Sequence, residues 1–299
     1  MALTYPNNAP ALGGRTSADL PEVRHLTFSD LQDSLRRGWA DFMAFPSHAV
    51  MLVVIYPVLG LVLARLVLGY SVAPLLFPLA AGFALIGPFA ALGLYELSLR
   101  RELGEQPSAW QAFEVLRSPS LGAMLGLGAL LFAAFGVWIA VAQAIYTATF
   151  GNAPAAAIPD FAQRVLTTPE GWTLIVAGCG VGFLFALATL CVSVVAFPMM
   201  LDRQAGIADA VATSLRVAAR NPMMIAAWGL IVAALLVVGS LPAFLGLAVV
   251  IPLLGHATWH LYRKAVEPNP QPPVIRPSRR IKRSAADFPA ALFPLSRRD

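Results

Sequence analysis

The chain has 299 residues, 58% hydrophobic and only 12% charged, with a formal net charge of +5 and a mean hydropathy of +0.70. A soluble domain is about 45–50% apolar and about 25% charged, because a globule in water needs a polar surface. This composition argues against an ordinary water-soluble fold and makes lipid the outer solvent.

The opening residues, MALTYPNNAPALGGRTSADL, carry neither a basic start nor an apolar run, so residues 1–26 read as a disordered tail and not as a cleaved secretory signal. Residues 27–265 read as one all-α membrane domain. A span needs about 20 mostly apolar residues, and six stretches qualify: about 48–69, 72–95, 120–150, 171–200, 222–240 and 242–262. The last two are joined by a tight link at Gly239, Ser240 and Leu241. Residues 266–299 are proline-rich and basic and read as a second disordered tail. Cys179 and Cys191 lie twelve residues apart in one apolar run, roughly 18 Å along a helix, too far to bridge.

Lysine and arginine collect on the cytoplasmic side of membrane proteins. Arg15, Arg24, Arg36 and Arg37 precede the first span; Arg100, Arg101 and Arg117 follow the second; Arg203, Arg216 and Arg220 follow the fourth; nine more follow the sixth. Only Arg65 and Arg164 fall on the other side. Both termini are therefore expected in the cytoplasm of a bacterial inner membrane. Tyr70, Tyr146 and Trp172 are expected at headgroup depth outside and Tyr95, Trp259 and Tyr262 inside, with Trp138 and Trp228 deeper as packing residues.

A short amphipathic segment ending at a proline precedes the first, third and fifth spans: SDLQDSLRRGWADFMAFP to Pro46, SAWQAFEVLRSP to Pro119, and IADAVATSLRVAARNP to Pro222. In the first, Phe28, Leu31, Leu35, Trp39 and Phe42 form an apolar face, with Asp33, Arg36, Arg37 and Asp41 turned away. In the third, Ile207, Val211, Leu215 and Ala218 do the same. Ser108 and Gln111 have the spacing of a capping box in the second. Such helices are expected to lie in the headgroup plane, with the proline marking entry into the bilayer. The even spans carry Pro88, Pro198 and Pro252 toward their cytoplasmic ends. The pattern predicts three parallel repeats, each an interfacial helix plus a two-helix hairpin.

Ionisable groups inside a membrane usually mark function, and none stands near the middle of a predicted span. Arg65 and Glu96 sit at span ends, where they are expected to reach headgroups. Gly122 with Gly126, and Gly178 with Gly182, have the small-xxx-small spacing that permits close helix contact; Pro57, Pro88 and Pro252 are read as kinks ahead of substrate-binding breaks. The sharpest site candidate is the pair His256 and His260, four residues apart on one helix face, with His48 at the same predicted depth and seven of the eight methionines near the inner boundary. Imidazole and thioether together suit copper, and imidazole suits haem iron. The plainer reading is interfacial histidines and apolar filler, so no catalytic, cofactor or metal residue is assigned. Arg276, Arg279, Arg280, Lys282 and Arg283 form a basic cluster attracted to anionic lipid; with no interleaved aromatics, it is not read as a nucleic-acid surface.

The segments VRHLTFSDLQDSLRRGWADF, GPFAALGLYELSLRRELGE, VSVVAFPMMLDRQ and ARNP together resemble the prokaryotic integral-membrane family catalogued as domain of unknown function 2189, over about residues 20–265. The resemblance implies the same multi-helix membrane architecture and no activity. The expectation is a non-enzymatic membrane component without a cofactor: a scaffold, assembly helper or accessory subunit that contacts lipid and other membrane proteins. One alternative is a carrier or channel for a small neutral or amphipathic solute. Another is a metal- or haem-handling protein using His256 and His260.

Overall fold

The computed structural model describes residues 20–44, 91–105, 109–151, 158–241 and 245–270, together with Pro78, Gly87 and Pro88. The first predicted span and nearly all of the second lie outside these residues, as do Pro46, His48, Pro57, Arg65, Tyr70, Ser108 and most of both predicted tails.

All regular elements among the described residues are helical. They are α1 (Phe28–Ala44), α2 (Leu92–Glu102), a 3₁₀ helix (Ala109–Arg117), α3 (Leu121–Phe150), α4 (Ile158–Thr167), α5 (Pro169–Ser193), α6 (Ala196–Arg203), α7 (Ile207–Arg220), α8 (Pro222–Ser240) and α9 (Leu247–Ala265). Among the described residues, three helical stretches are long and apolar enough to cross a membrane: Leu121–Phe150, Pro169–Arg203 and Pro222–Ser240, with mean hydropathies of 2.3, 2.4 and 2.3. They correspond to the third, fourth and fifth predicted spans. Their outward side chains are apolar, among them Leu130, Phe132, Val137, Val176, Phe183, Leu184, Leu230 and Val237, as a lipid-facing surface requires. The sixth predicted span, α9, is not among these three, because its second half carries His256, His260, Arg263 and Lys264.

The fourth span is broken near its C-terminal end. Pro198 has no N–H to offer the Val194 carbonyl, and its ring crowds that carbonyl, so α5 stops at Ser193 and α6 starts at Ala196. Ser214 of α7 repairs the gap: its hydroxyl donates to the Cys191 carbonyl at 2.8 Å and accepts from the Val195 N–H at 3.4 Å. A buried backbone pair that would otherwise be open is thus satisfied by an inserted side chain.

Both amphipathic helices present a different face from the expected one. On α1, Leu31, Ser34, Gly38, Asp41 and Phe42 are buried, while Phe28, Trp39 and Met43 stay exposed. The apolar arc is wider than the protein-facing surface, so one edge of it packs inward and the other faces out. On α7, Ala210, Thr213, Ser214, Val217 and Ala218 are buried, and Ile207 and Leu215 are largely exposed; the repair by Ser214 selects that face. The second amphipathic segment is a 3₁₀ helix.

The chain ends of the body are ordered. Residues 20–26, assigned by sequence to the disordered tail, run antiparallel to the end of α9. Arg24 N donates to the Ala265 carbonyl at 2.8 Å and Glu267 N to the Glu22 carbonyl at 3.1 Å, around a Val23–Val266 bridge. Asn221, from the ARNP motif, clips the segment from the other side: its Oδ1 accepts from Leu26 N at 2.7 Å and its Nδ2 donates to the Arg24 carbonyl at 3.0 Å.

Tyr95, Trp259 and Tyr262, expected at headgroup depth, are instead core residues no more than 1% exposed. Trp138 and Trp228 are buried, as expected of packing residues. Trp138 donates its indole N–H to the Pro78 carbonyl at 3.0 Å and lies over Gly182, where an added Cβ would meet the ring at 2.9 Å. Of the paired glycines, Gly182 and Gly126 make room for side chains, the Trp138 ring and the end of Ile207, while Gly122 and Gly178 have open space beside them.

Candidate functional site

The polar residues that sequence reading placed at a water-facing boundary converge on one buried cluster. Glycine sets the approach. A Cβ on Gly38 of α1 would lie 2.6 Å from Ala257 N and 2.8 Å from its Cα, so α1 crosses α9 at backbone distance. Gly255, two residues earlier on α9, makes room for the Leu94 side chain of α2. These contacts place Asp41, Ser98, His256 and His260 within bonding reach of one another.

Asp41 is the hub. Its Oδ2 accepts from the Ser98 hydroxyl at 2.7 Å and from His260 Nε2 at 2.9 Å, and its Oδ1 pairs with Arg101. Burial pushes the carboxyl up, but the bonds from His260 and Ser98 outweigh it and hold the group below its usual 3.8. Because Ser98 gives its proton to a carboxylate, its oxygen must accept from His256 Nδ1, which lies 2.8 Å away. That assigns the Nδ1–H tautomer to His256 and leaves a bare lone pair on Nε2, an atom that is buried and has no hydrogen-bond partner.

The cluster extends toward α6. His260 Nδ1 faces Glu102 at 3.7 Å; Arg263 donates to Glu102 at 2.9 Å and to Asp202 at 3.2 Å; the Tyr262 hydroxyl donates to Asp202 at 2.6 Å. Arg263 also stacks over the Trp259 ring, 5.0 Å from its centroid. Beside this cluster Glu96, expected to reach headgroups, is buried and bonded at 2.6 Å to Arg100, itself 2% exposed. Burial pushes Glu96 above its usual 4.5 despite the Arg100 charge. On the outer edge Asp33 pairs with Arg36 and Arg37, both exposed, and with Lys264 at 3.0 Å. The hydrogen bonds from Arg36 and Lys264 hold it well below the usual carboxylate range.

This geometry gives the histidine pair a different role from chelation. His260 spends Nε2 on Asp41 and His256 spends Nδ1 on Ser98, so the two rings are hydrogen-bonded into the helix junction. Among the described residues no three His, Cys, Asp or Glu side chains are grouped to hold a metal ion. Met124, Met199 and Met200 are core filler. Sequence reading missed Asp41, Ser98 and Asp202 as partners. The one available signal was their placement in the polar stretches bounding apolar runs.

Long apolar helices with apolar outward side chains, beside a polar cluster buried in protein, define an integral membrane protein that is helical throughout its described elements. Residues 76–202 match the model of a family described as Predicted integral membrane protein (DUF2189), the family that the sequence motifs resembled. The match takes in the GPFAALGLYELSLRRELGE segment and α3 to α6, while α1 and the ARNP clip lie outside it. No curated protein and no solved structure matches the chain.

Proposed function

We propose that the chain is a non-enzymatic component of the bacterial inner membrane, a scaffold or assembly partner whose polar groups hold its own helices together. The observation that carries this reading is the mutual pairing of the charges: Asp41 binds Ser98, Arg101 and His260, and Arg263 binds Glu102 and Asp202. These charges pair with one another across α1, α2, α6 and α9.

The same contacts support six crossings with cytoplasmic termini. Val23 pairs with Val266, so the two ends leave the body on one side and the number of crossings between them is even. α9 matches α8 in length, 19 residues each, and its polar half is covered by α1 and α2, which explains how a helix too polar by composition returns through the bilayer. The threefold repeat draws support from Arg263, where three segments that accompany the span prolines Pro88, Pro198 and Pro252 meet. Contact with anionic lipid through Arg276–Arg283 completes the reading.

The test is affinity purification of the full-length protein from native membranes after mild cross-linking. A stable stoichiometric membrane-protein partner is expected; recovery of the chain alone would count against the scaffold.

A second reading rests on one atom. His256 Nε2 is a buried, unprotonated lone pair with its opposite nitrogen held by the Ser98 hydroxyl, itself bonded to the Asp41 carboxylate, an arrangement that resembles the outer shell of a metal-bound imidazole. Purified protein with haem or copper would show a Soret band or copper content that His256→Phe removes. A colourless sample that takes up neither would end this reading.

A further inference from the structure

We propose that residues 20–44 act as a strap that closes over α9 and joins the two ends of the described body on one face of the membrane. The strap has two grips. One is the extended segment, bonded to Ala265 and Glu267 on one edge and to Asn221 on the other, with Val23 and Leu26 buried. The other is α1, seated at Gly38 against the Ala257 backbone and pinned by Asp41 to residues 57 and 219 positions away. Lys264 adds an outer pair to Asp30 and Asp33.

The face of α1 that remains exposed suits a released helix. Phe28, Trp39 and Met43 lie on one side of α1 beside Arg36, the mixture of aromatic, apolar and basic groups that seats a helix in the headgroup region. Rotation about the helix axis brings Leu31 and Phe42 onto lipid as well. An α1 released from α9 therefore has a resting place on the bilayer surface, and closing exchanges that lipid contact for Gly38, Asp41 and Phe42 against protein. This inference rests on the membrane reading and goes beyond the scaffold role.

The bridge supplies its own reporter. Val23 and Val266 are opposite one another between the two backbone bonds, the non-hydrogen-bonded arrangement in which Cα atoms stand about 4.5 Å apart, within disulfide reach. In full-length protein carrying Val23→Cys and Val266→Cys, with Cys179 and Cys191 changed to serine, mild oxidation in native membranes is expected to cross-link the pair and shift its mobility on non-reducing gels. Adding Gly38→Leu is expected to slow cross-linking by roughly tenfold or more, given the cost of overpacking a backbone contact, and to expose residue 23 to a membrane-impermeant maleimide. Asp41→Asn, which keeps the shape of the side chain, is expected to act in the same direction, and carries the test if the leucine variant does not accumulate. Cross-linking that proceeds equally fast in all three chains would overturn the strap. So would labelling of residues 23 and 266 from opposite faces, an outcome that would also remove the even crossing count; loss of the scaffold partner alone would leave the strap standing.

Discussion

Asp41 shows how much depends on one carboxylate. Replacing it by alanine strands Arg101, Ser98 and His260 together, and loss of one member of a buried charge pair costs about 3–5 kcal/mol. We expect Asp41→Ala to lower the unfolding midpoint in detergent far more than Asp33→Ala, whose partners Arg36 and Arg37 are exposed and whose pairs are worth about 0–1 kcal/mol each. Acid should separate two neighbouring groups by sign. Asp41 is held below 3.8 in the fold, so its stabilisation is complete above that value and is lost as pH falls through the lower folded one. Glu96 is raised above 4.5, so the folded state takes up its proton first, and acidification toward 4.5 relieves a cost. Read as the difference between parent and variant, the pH profile of thermal unfolding is expected to show an upper limb, a gain from Glu96 as pH falls toward about 4.5, and a lower limb, a loss from Asp41 below the ordinary aspartate range. Glu96→Gln should remove the upper limb and Asp41→Asn weaken the lower one; a profile unchanged by both would contradict the assignment. Little of this could be read from the sequence. Asp41 and His260 are 219 positions apart, and local periodicity placed Asp41 on the charged face of α1 because it sees one helix at a time.

Among the elements, those that face lipid were the legible ones. α3, α5 and α8 announce themselves because their exposed residues are apolar as well as their buried ones, and a hydropathy pattern needs no knowledge of partners. The break after Ser193 was foreshadowed by Pro198, but its repair by Ser214 was not, since a serine on an amphipathic helix says nothing about which carbonyl it will reach. Ser214→Ala should leave the Cys191 carbonyl and Val195 N–H unsatisfied at about 1–3 kcal/mol each, whereas Ser214→Thr keeps the hydroxyl; a smaller loss of thermal stability in the threonine variant is the expected result. Within the apolar helices, Trp138→Phe removes the bond to the Pro78 carbonyl and should cost about 1 kcal/mol. Gly182→Leu should cost more, since the Trp138 ring already meets an added Cβ. Equal stability of both variants with the parent would mean that the indole is not seated there.

For the molecule as a whole, the decisive measurement is topology. Reporter fusions placed after residues 110 and 210 are expected to report the cytoplasm, and fusions after residue 154 the opposite side. The arginine distribution leads to this expectation, and the Val23–Val266 bridge adds that residues 23 and 266 share one side. Composition alone identified the solvent as lipid, and arginine placement suggested the sides. How the ends are tied together required coordinates, because hydrogen bonds between residues 22–26 and 265–267 leave no trace in either local sequence. The same tie has a consequence in time. Asp41 leaves the ribosome 219 residues before His260, which at about 5–20 residues per second is roughly 10–45 s. For that interval α1, with an aspartate in its last turn, lacks the α9 surface on which Gly38 and Asp41 seat, so newly made chains must pass through a half-finished form that insertion factors or membrane proteases have ample opportunity to meet.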